Sequence, residues 1–300
     1  MKFLLAVLPL GALVAVGAAQ QPVPGKSVRS GSATLVYYEL GPKTGTPLVL
    51  LSGGPGFDSD YFWYGPAFKT LAAKRRVLTY DQRGTGRSSP VGPGDTVTVA
   101  DFVADLEALR AGLGAAKLDL LGHSWGGYLA IAYAAAHGDR IAHLLLIDSA
   151  APKFSDTIFL FKQAFPERDM NGPFERGRAA NDTAAINSAL RTYLSMIFYS
   201  PEHRDAFVSQ AAKIHYNHYQ SGHLSRDLAK LDLTPSLASF QFPTLVVTGR
   251  YDMNVAPLTA YRMHQAIPGS HFVVFERSSH IPFYEEPEAF VAAVEGFLAR

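Results

Sequence analysis

Residues 118–127 read LDLLGHSWGG and run into an alanine-rich stretch that ends at residue 136. The apolar run Lys117–Leu121 predicts a strand, and Gly127–Ala136 predicts the helix that follows it. Between them, Gly122–Gly126 fits the pattern G-x-S-x-G, in which a serine occupies a strained turn between a strand and a helix. The flanking strand and helix distinguish this match from an ordinary glycine-rich turn, which is the alternative interpretation. Ser124 is therefore the candidate nucleophile.

The rest of the chain repeats the strand-and-helix alternation around this turn. Seven short apolar runs alternate with longer segments of helical period, which is typical of a parallel sheet covered by helices on both faces. One helix is predicted in detail, with a capping box formed by Thr98 and Asp101 at its start and Gly114 at its end. The runs are Ala33–Leu40, Pro47–Leu51, Arg76–Tyr80, Leu118–Leu121, His143–Ile147, Thr244–Val247 and Phe272–Phe275.

The alternation breaks in the segment from residue 152 to residue 241, where aromatic residues are frequent and no comparable apolar run occurs. We expect this segment to be an inserted helical lid whose aromatic side chains mostly pack in its own core. Residues 33–151 and 242–300 then form the α/β core. The predicted fold class is α/β, with a mostly parallel central sheet.

The N-terminal segment is predicted to be a targeting signal. Residues 1–19 have a charged start, an apolar stretch and small residues before a polar segment, as secretory signal peptides do. An uncleaved membrane anchor is the weaker alternative, because Pro9 and Gly11 interrupt an apolar stretch too short to span a bilayer. Residues 20–32 are predicted to be a linker. We expect a secreted or periplasmic protein with no membrane attachment after cleavage.

Composition excludes several classes of protein. The 300 residues are 48% hydrophobic and 18% charged, with a formal net charge of +1, so a nucleic-acid partner is not expected. The absence of cysteine excludes disulfides, zinc-cysteine sites and a cysteine nucleophile. We expect no metal and no organic cofactor, and His215, His218 and His223 are expected on helix surfaces of the lid. The sequence carries no signal of oligomeric state.

A serine nucleophile needs a base, and the base needs a carboxylate that fixes its tautomer. Where a serine occupies such a turn, the acid and the histidine follow later strands in that order. Asp252 follows the run Thr244–Val247 and His280 follows Phe272–Phe275, so they are the expected acid and base. Asp148, which also follows a predicted strand, is the alternative acid.

Acyl transfer also needs donors for the oxyanion that forms on the attacked carbonyl. The backbone N–H of Trp125, directly after the serine, is the first expected donor. The second is expected from the glycine-rich turn Ser52–Gly56 after the strand Pro47–Leu51. Gly54 is the preferred residue and Gly53 is the neighbouring alternative.

Three motifs together resemble the proline iminopeptidase (prolyl aminopeptidase) family of α/β hydrolases. They are Gly53–Gly56 (GGPG), Asp81–Ser88 (DQRGTGRS) and Gly122–Gly127 (GHSWGG). The resemblance covers residues 33–151 and 242–300 and implies the α/β-hydrolase fold, a helical lid, and a triad of Ser124, Asp252 and His280. It also implies that Trp125 and Gly54 form the oxyanion hole, with Asp81 and Arg83 bracing neighbouring loops.

Two positions depart from the family pattern. Ser52 stands before the GGPG motif where the family usually has histidine, and the lid has no tryptophan. Members of this family present lid glutamates to the free ammonium of the substrate. The carboxylates of the lid, most of them expected on its surface, are Asp156, Glu167, Asp169, Glu175, Asp182, Glu202, Asp205, Asp227 and Asp232. Of these, Glu202, close to Tyr199 and Pro201, is the residue expected to bind the substrate's amine.

These observations lead to three hypotheses about function. The first is a secreted serine aminopeptidase that removes an N-terminal residue, preferably proline, from short peptides through an acyl-enzyme. The second keeps the same three catalytic residues and hydrolyses esters or lactones. The third is a non-catalytic binding protein on the same fold. Each implies a small-molecule or short-peptide ligand.

Overall fold

A computed structural model describes residues 23–169, 171–211 and 216–300 of the chain. The predicted signal peptide, residues 1–19, lies outside the described residues, as do residues 20–22 of the predicted linker and His215. No helix in the described ranges is both long and apolar enough to cross a lipid bilayer.

A central sheet organises the fold. All seven predicted strands are present, each within two residues of its expected bounds, and they pair in the order β1-β2-β4-β3-β5-β6-β7-β8. β1 and β2 pair antiparallel with their neighbours, whereas the pairs from β4 through β8 are parallel. The strands are β1 (Lys26–Ser30), β2 (Ala33–Leu40), β3 (Leu48–Leu51), β4 (Val77–Tyr80), β5 (Leu118–His123), β6 (Ile141–Ile147), β7 (Thr244–Gly249) and β8 (His271–Phe275). The α/β class predicted from the sequence is confirmed.

The eighth strand, β1, corrects one boundary. Residues 26–30, which we expected to belong to a linker, pair antiparallel with β2, with Val28 opposite Leu35. β1 lies at the edge of the sheet and most of its residues are exposed, so it lacks the apolar run that marks the interior strands. Pairing with β2, rather than local composition, makes it a strand.

Helices cover both faces of this sheet. Those that pack on it are α1 (Ala67–Ala72), α2 (Val99–Gly112), α3 (Trp125–Ala136), α10 (Pro257–Ala266), α11 (Pro282–Glu285) and α12 (Pro287–Leu298). α2 begins at the predicted capping box, in which Thr98 and Asp101 exchange side-chain and backbone hydrogen bonds, and it stops just before Gly114.

The hydrophobic core lies in two layers because successive strand residues point to opposite faces. Val49 and Leu51 of β3 pack in the layer that contains α2, α3 and α10. Leu48 and Leu50 pack in the layer that contains α1 and α12. β3 is therefore buried on both faces, as its uninterrupted apolar sequence predicts.

In the described residues from 152 to 241 the structure has helices and turns but no strand. The helices are α4 (Phe161–Ala164), α5 (Asn171–Ala179), α6 (Thr183–Leu194), α7 (Pro201–Gln210), α8 (His218–Leu228) and α9 (Thr234–Leu237). The segment leaves and rejoins the core at one point, where Lys153 and Asp232 form a backbone bridge and Leu233 N–H donates to the Pro152 carbonyl. We call residues 152–241 the lid.

The sheet topology places one crevice at the carboxyl ends of the strands. β4 follows β3 in the chain and lies on one side of it in the sheet. The next strand, β5, lies on the other side of β3. Ligand sites of open α/β sheets lie where the order reverses in this way. The turn Ser52–Gly56 after β3 and Ser124 after β5 both lie at this reversal.

Candidate active site

Ser124 occupies a strained turn between β5 and α3. Its backbone has φ 57° and ψ −121°, a conformation that non-glycine residues rarely adopt. Glycine is required on both sides, because a Cβ at Gly122 would lie 2.2 Å from the Gly126 carbonyl oxygen and one at Gly126 would lie 2.1 Å from that of Leu51. The close packing of β5, α3 and β3 thus projects Ser124 at the end of the sheet.

His280 and Asp252 lie together in two neighbouring loops. His280 Nδ1 is 2.7 Å from Asp252 Oδ2, and both side chains are almost completely buried. The other carboxylate oxygen, Oδ1, accepts the backbone N–H groups of Asn254 and Val255 at 2.8 Å each. Because the carboxylate accepts at Nδ1, the ring carries its proton there and Nε2 has the free lone pair of a general base.

The alternative acid, Asp148, is buried behind Asp252. Its Oδ1 accepts the Gly249 N–H at 2.9 Å, and its Oδ2 has no hydrogen-bond partner in the described residues. Burial, together with the nearby Asp252 carboxylate, raises the pKa of Asp148 well above its usual range. Burial thus favours the neutral form of Asp148, and Asp252 is the carboxylate that bonds to His280.

Asp148, Asp252 and His280 are also the one group in the described residues that could hold a metal ion, with one potential ligand atom each within 4.8 Å of one another. Metal ligands must be deprotonated, whereas the pKa of Asp148 is raised. The 2.7 Å bond between Asp252 and His280 already uses two of the potential ligands. These residues suit acid–base chemistry better than metal binding.

Ser124 and His280 line the same small cavity, which has a volume of about 30 Å³. In the described part of the chain no hydrogen bond joins Ser124 Oγ to the ring; instead, His280 Nε2 is 2.9 Å from Asn254 Nδ2. Asn254, which the sequence analysis did not single out, thus contacts the second ring nitrogen of the expected base.

The residues that carry the two expected oxyanion donors line the cavity beside Ser124. Trp125 is the first residue of α3, where helical N–H groups lack intrahelical partners, and Gly54 lines the same cavity as Ser124. Neither backbone N–H has a hydrogen-bond partner among the described residues. The Gly53 N–H, by contrast, donates to the Tyr61 hydroxyl at 2.8 Å. Gly54 is therefore the better second donor.

A chain of hydrogen bonds joins the three loops of the site. Tyr61 Oη accepts the Gly53 N–H and lies 2.8 Å from His123 Nδ1, and His123 Nε2 lies 2.8 Å from the His280 carbonyl oxygen. Burial lowers the pKa of His123 well below its usual range, so this ring is neutral and donates through Nε2. The loops after β3, β5 and β8 are thereby held in register.

The Asp81–Ser88 motif holds neighbouring segments of the site in place through hydrogen bonds and an ion pair. Gln82 Nε2 donates to the Ser52 carbonyl at 2.9 Å, and Gln82 Oε1 accepts the indole N–H of Trp125 at 2.9 Å. Arg83 makes a bidentate ion pair with the buried Asp105 of α2. Asp81 accepts hydrogen bonds from Ser59, Arg87 and Tyr38. The bracing that the resemblance implied for Asp81 and Arg83 is present, and Gln82 adds to it.

A cavity of about 440 Å³ opens beside Ser124. Core residues Gly54, Ser124, Trp125 and Asn254 form one wall. The opposite wall comes from the lid and is mostly aromatic; it includes Phe154, Phe159, Phe174, Tyr193 and Tyr216. The space is large enough for one amino-acid residue with part of a leaving group.

The carboxylates of the lid are placed differently from expectation. Glu202 is exposed on the first turn of α7 and does not line the cavity. Glu175 of α5 does line it, and its carboxylate lies 3.0 Å from Arg178. The position of Glu202 next to Tyr199 and Pro201 in the sequence did not show which glutamate lines the cavity, because packing sets the direction of each lid helix.

Glu285 connects the lid to the histidine loop. Its Oε1 accepts the backbone N–H groups of Tyr199 and Ser200 at 2.8 and 2.9 Å, and its Oε2 accepts that of Ser279 at 2.7 Å. Burial raises the pKa of Glu285 to about 7, although the three backbone hydrogen bonds act in the opposite direction. This buried carboxyl fixes the lid segment against the residue that precedes His280.

Comparisons with known proteins identify the family of the chain. Residues 46–287 match the family model of the alpha/beta hydrolase fold. A proline iminopeptidase of Levilactobacillus brevis is 33% identical over 274 residues, which are 85% of this chain and 88% of that protein. The proline iminopeptidase of Lactiplantibacillus plantarum is 31% identical over 268 residues, covering 85% and 92%. The chain belongs to the proline iminopeptidase-like α/β hydrolases.

Solved structures place this α/β hydrolase among enzymes of several activities. The enol-lactonase of Burkholderia xenovorans superposes with a TM-score of 0.71 and 27% identity, covering 92% of this chain and all of that one. The predicted fold and the family resemblance are thus confirmed. The chain is an α/β hydrolase whose sequence is similar to those of proline iminopeptidases and whose backbone is similar to that of an enol-lactonase.

Proposed function

We propose that this α/β hydrolase is a serine aminopeptidase that releases an N-terminal residue, preferably proline, from short peptides. The observation that carries the proposal is that Ser124, on its strained turn, shares cavities with His280 of the Asp252–His280 pair and with Trp125 and Gly54, whose backbone N–H groups have no hydrogen-bond partner among the described residues. The identity of about 30% to proline iminopeptidases supports the choice of substrate.

In this mechanism Ser124 Oγ attacks the carbonyl of the N-terminal residue while His280 Nε2 takes its proton. The N–H groups of Trp125 and Gly54 stabilise the oxyanion, and Asp252 stabilises the imidazolium. His280 then passes the proton to the leaving amine, and the C–N bond breaks to leave an ester on Ser124. Water, deprotonated by His280, hydrolyses that ester and releases the amino acid.

Glu175 supports a substrate with a free amine, because it is the acidic residue among those that line the cavity. A carboxylate at this wall attracts the ammonium group of an N-terminal residue, while the aromatic side chains of the lid contact its ring or side chain. Secretion through the segment at residues 1–19 remains part of the proposal and rests on the sequence alone.

Ester or lactone hydrolysis is the second candidate function. The similarity to an enol-lactonase and the mostly apolar lining of the cavity favour it. The triad and oxyanion donors would act in the same way, with an alcohol rather than an amine as leaving group.

One experiment separates these functions. Proline p-nitroanilide and p-nitrophenyl acetate are assayed side by side with the wild-type protein and with Ser124→Ala, and both proteins are treated with a fluorophosphonate probe. The peptidase proposal predicts turnover of the anilide and covalent labelling, both abolished in Ser124→Ala. Turnover of the ester alone favours the second function. A wild-type protein that neither turns over nor is labelled would support the non-catalytic alternative.

A further inference from the structure

The carboxamide of Asn254 lies between the histidine of the site and the lid. Its Nδ2 is 2.9 Å from His280 Nε2 and 3.0 Å from the hydroxyl oxygen of Tyr193, near the end of α6. The residue is 7% exposed and lines the cavity beside Ser124. Its backbone N–H donates to Asp252 Oδ1, so the main chain of Asn254 is fixed by the same carboxylate that orients His280.

The tautomer of His280 determines how this amide is oriented. Nδ1 carries the proton, because it faces Asp252 Oδ2 at 2.7 Å, and Nε2 therefore presents a lone pair. Only the N–H side of the amide can bond to a lone pair, and the second N–H then reaches the Tyr193 oxygen. The amide thus occupies the lone pair that must accept the proton of Ser124.

We propose that Asn254 is a positioning residue that holds His280 in the free enzyme and must release Nε2 before Ser124 can transfer its proton. The inference rests on the proposed function, since it assumes that His280 is the base for Ser124. Tyr193 accepts the other N–H of the amide and lines the same cavity. A substrate that contacts Tyr193 therefore changes how strongly the amide is held and promotes the release of Nε2.

The charged and polar groups around the His280 ring determine how easily the ring is protonated, and the Asn254 amide is one of them. Asp252 faces Nδ1, with Asp148, whose neutral form is favoured by burial, behind it. The neutral ring of His123 lies 4.8 Å away, centroid to centroid, and Tyr193 lies beyond the amide. An N–H that donates to Nε2 favours the neutral ring. Removing it makes protonation of the ring easier and moves the acid limb of the pH profile to higher pH.

The test measures the rate at which a fluorophosphonate labels Ser124 between pH 5 and pH 9. Asn254→Ala and the nearly isosteric Asn254→Leu both remove the amide but keep the backbone bond to Asp252. At pH 8 we expect each to be labelled about three- to tenfold faster than wild type, the range expected for one lost hydrogen bond. The acid limb should also move to higher pH.

Tyr193→Phe is the matched control. It keeps the contact to Nε2 and removes only the partner of the second N–H, so the rate and the acid limb should lie between those of wild type and Asn254→Ala. Circular dichroism and thermal unfolding establish that each variant is folded. If both Asn254 variants fail to fold, Tyr193→Phe alone must shift the acid limb in the same direction.

The outcomes distinguish this inference from the proposed function. Labelling that is unchanged or slower in folded Asn254 variants, with an unmoved acid limb, overturns the role of Asn254 and leaves the serine mechanism intact. Failure of the wild-type protein to be labelled at all overturns the serine mechanism and the inference with it. Faster labelling with an unmoved acid limb also overturns the inference, because it indicates easier access rather than release of Nε2.

Discussion

At the scale of single residues, the orientation of His280 depends on one carboxylate out of two that lie nearby. Asp252 bonds to Nδ1 at 2.7 Å, whereas burial raises the pKa of Asp148 and favours its neutral form. An asparagine therefore reproduces the state of Asp148 but not that of Asp252. This difference separates the two candidates for the acid of the triad.

Asp252→Asn is expected to lower kcat for proline p-nitroanilide by about 10⁴-fold, because an amide at this position favours the wrong tautomer of His280 and cannot stabilise the imidazolium. Asp148→Asn, the matched control, should stay within about tenfold of wild type, because one neutral group replaces another of the same shape. Steady-state kinetics measure both. A larger loss in Asp148→Asn would identify Asp148 as the acid.

Also at the residue scale, the local sequence predicted those residues of the site whose roles follow from the conformation of their own turn. Ser124, Trp125 and Gly54 follow from motifs that specify a turn, and the structure places them around one space. Asn254 and Tyr61 carry no comparable signal, because their roles consist of contacts with residues that are distant in sequence. Asn254 is only two positions after Asp252, so the sequence indicates that it lies near the expected acid. The direction of its amide is seen only in the structure.

At the scale of elements, the lid is joined to the histidine loop through Glu285 on α11. The carboxyl accepts three backbone N–H groups, two from the lid and one from Ser279. Burial raises its pKa from 4.5 to about 7. A carboxyl whose pKa is higher in the folded protein than in the unfolded chain stabilises the fold at low pH, and this contribution is lost as the pH rises through about 7.

The free energy of unfolding of wild type, relative to that of Glu285→Gln, should therefore fall by roughly 3 kcal/mol between pH 4 and pH 8. Urea unfolding at five pH values measures the difference. Glu288→Gln is the control, since Glu288 is exposed on the first turn of α12 and should follow wild type at every pH. A difference between Glu285→Gln and wild type that does not change with pH would contradict the raised pKa.

Element boundaries were predicted well in the interior of the sheet and less well at its edge. β3 is an uninterrupted apolar run and the buried strands β4 to β7 are apolar over most of their length, because both of their faces are covered. β1 has one long side exposed and needs no such run, so its sequence resembles a linker. Its strand conformation comes from its partner β2.

At the scale of the whole molecule, the cavity exists only because the lid lies over the ends of the strands. Core and lid each supply one wall of the cavity. Of the two lid glutamates considered for binding the amine, Glu175 lines the cavity and Glu202 is exposed to solvent on α7. The proposed binding of an ammonium group belongs to this scale, since no single element contains both the amine partner and the nucleophile.

Glu175→Gln is expected to raise KM for proline p-nitroanilide about two- to fivefold, with little change in KM for p-nitrophenyl acetate, which has no amine. The effect is small because the Glu175 side chain is 59% exposed and its interactions are screened by water. Glu202→Gln, the matched control, should leave both KM values unchanged. If Glu202→Gln raises KM for the anilide and Glu175→Gln does not, Glu202 is the amine partner.

The sequence by itself determined the α/β class, the strained turn at Ser124 and the chain order of nucleophile, acid and base. These features are local: apolar runs, glycines beside a serine and loops after strands depend on neighbouring residues and on the rules of strand order. Only the tertiary structure decided which carboxylate of the lid reaches the cavity, which acid bonds to His280, and that Asn254 occupies Nε2. These depend on contacts between segments more than twenty residues apart, whose geometry is set by the packing of the core loops on one another and of the lid on the core.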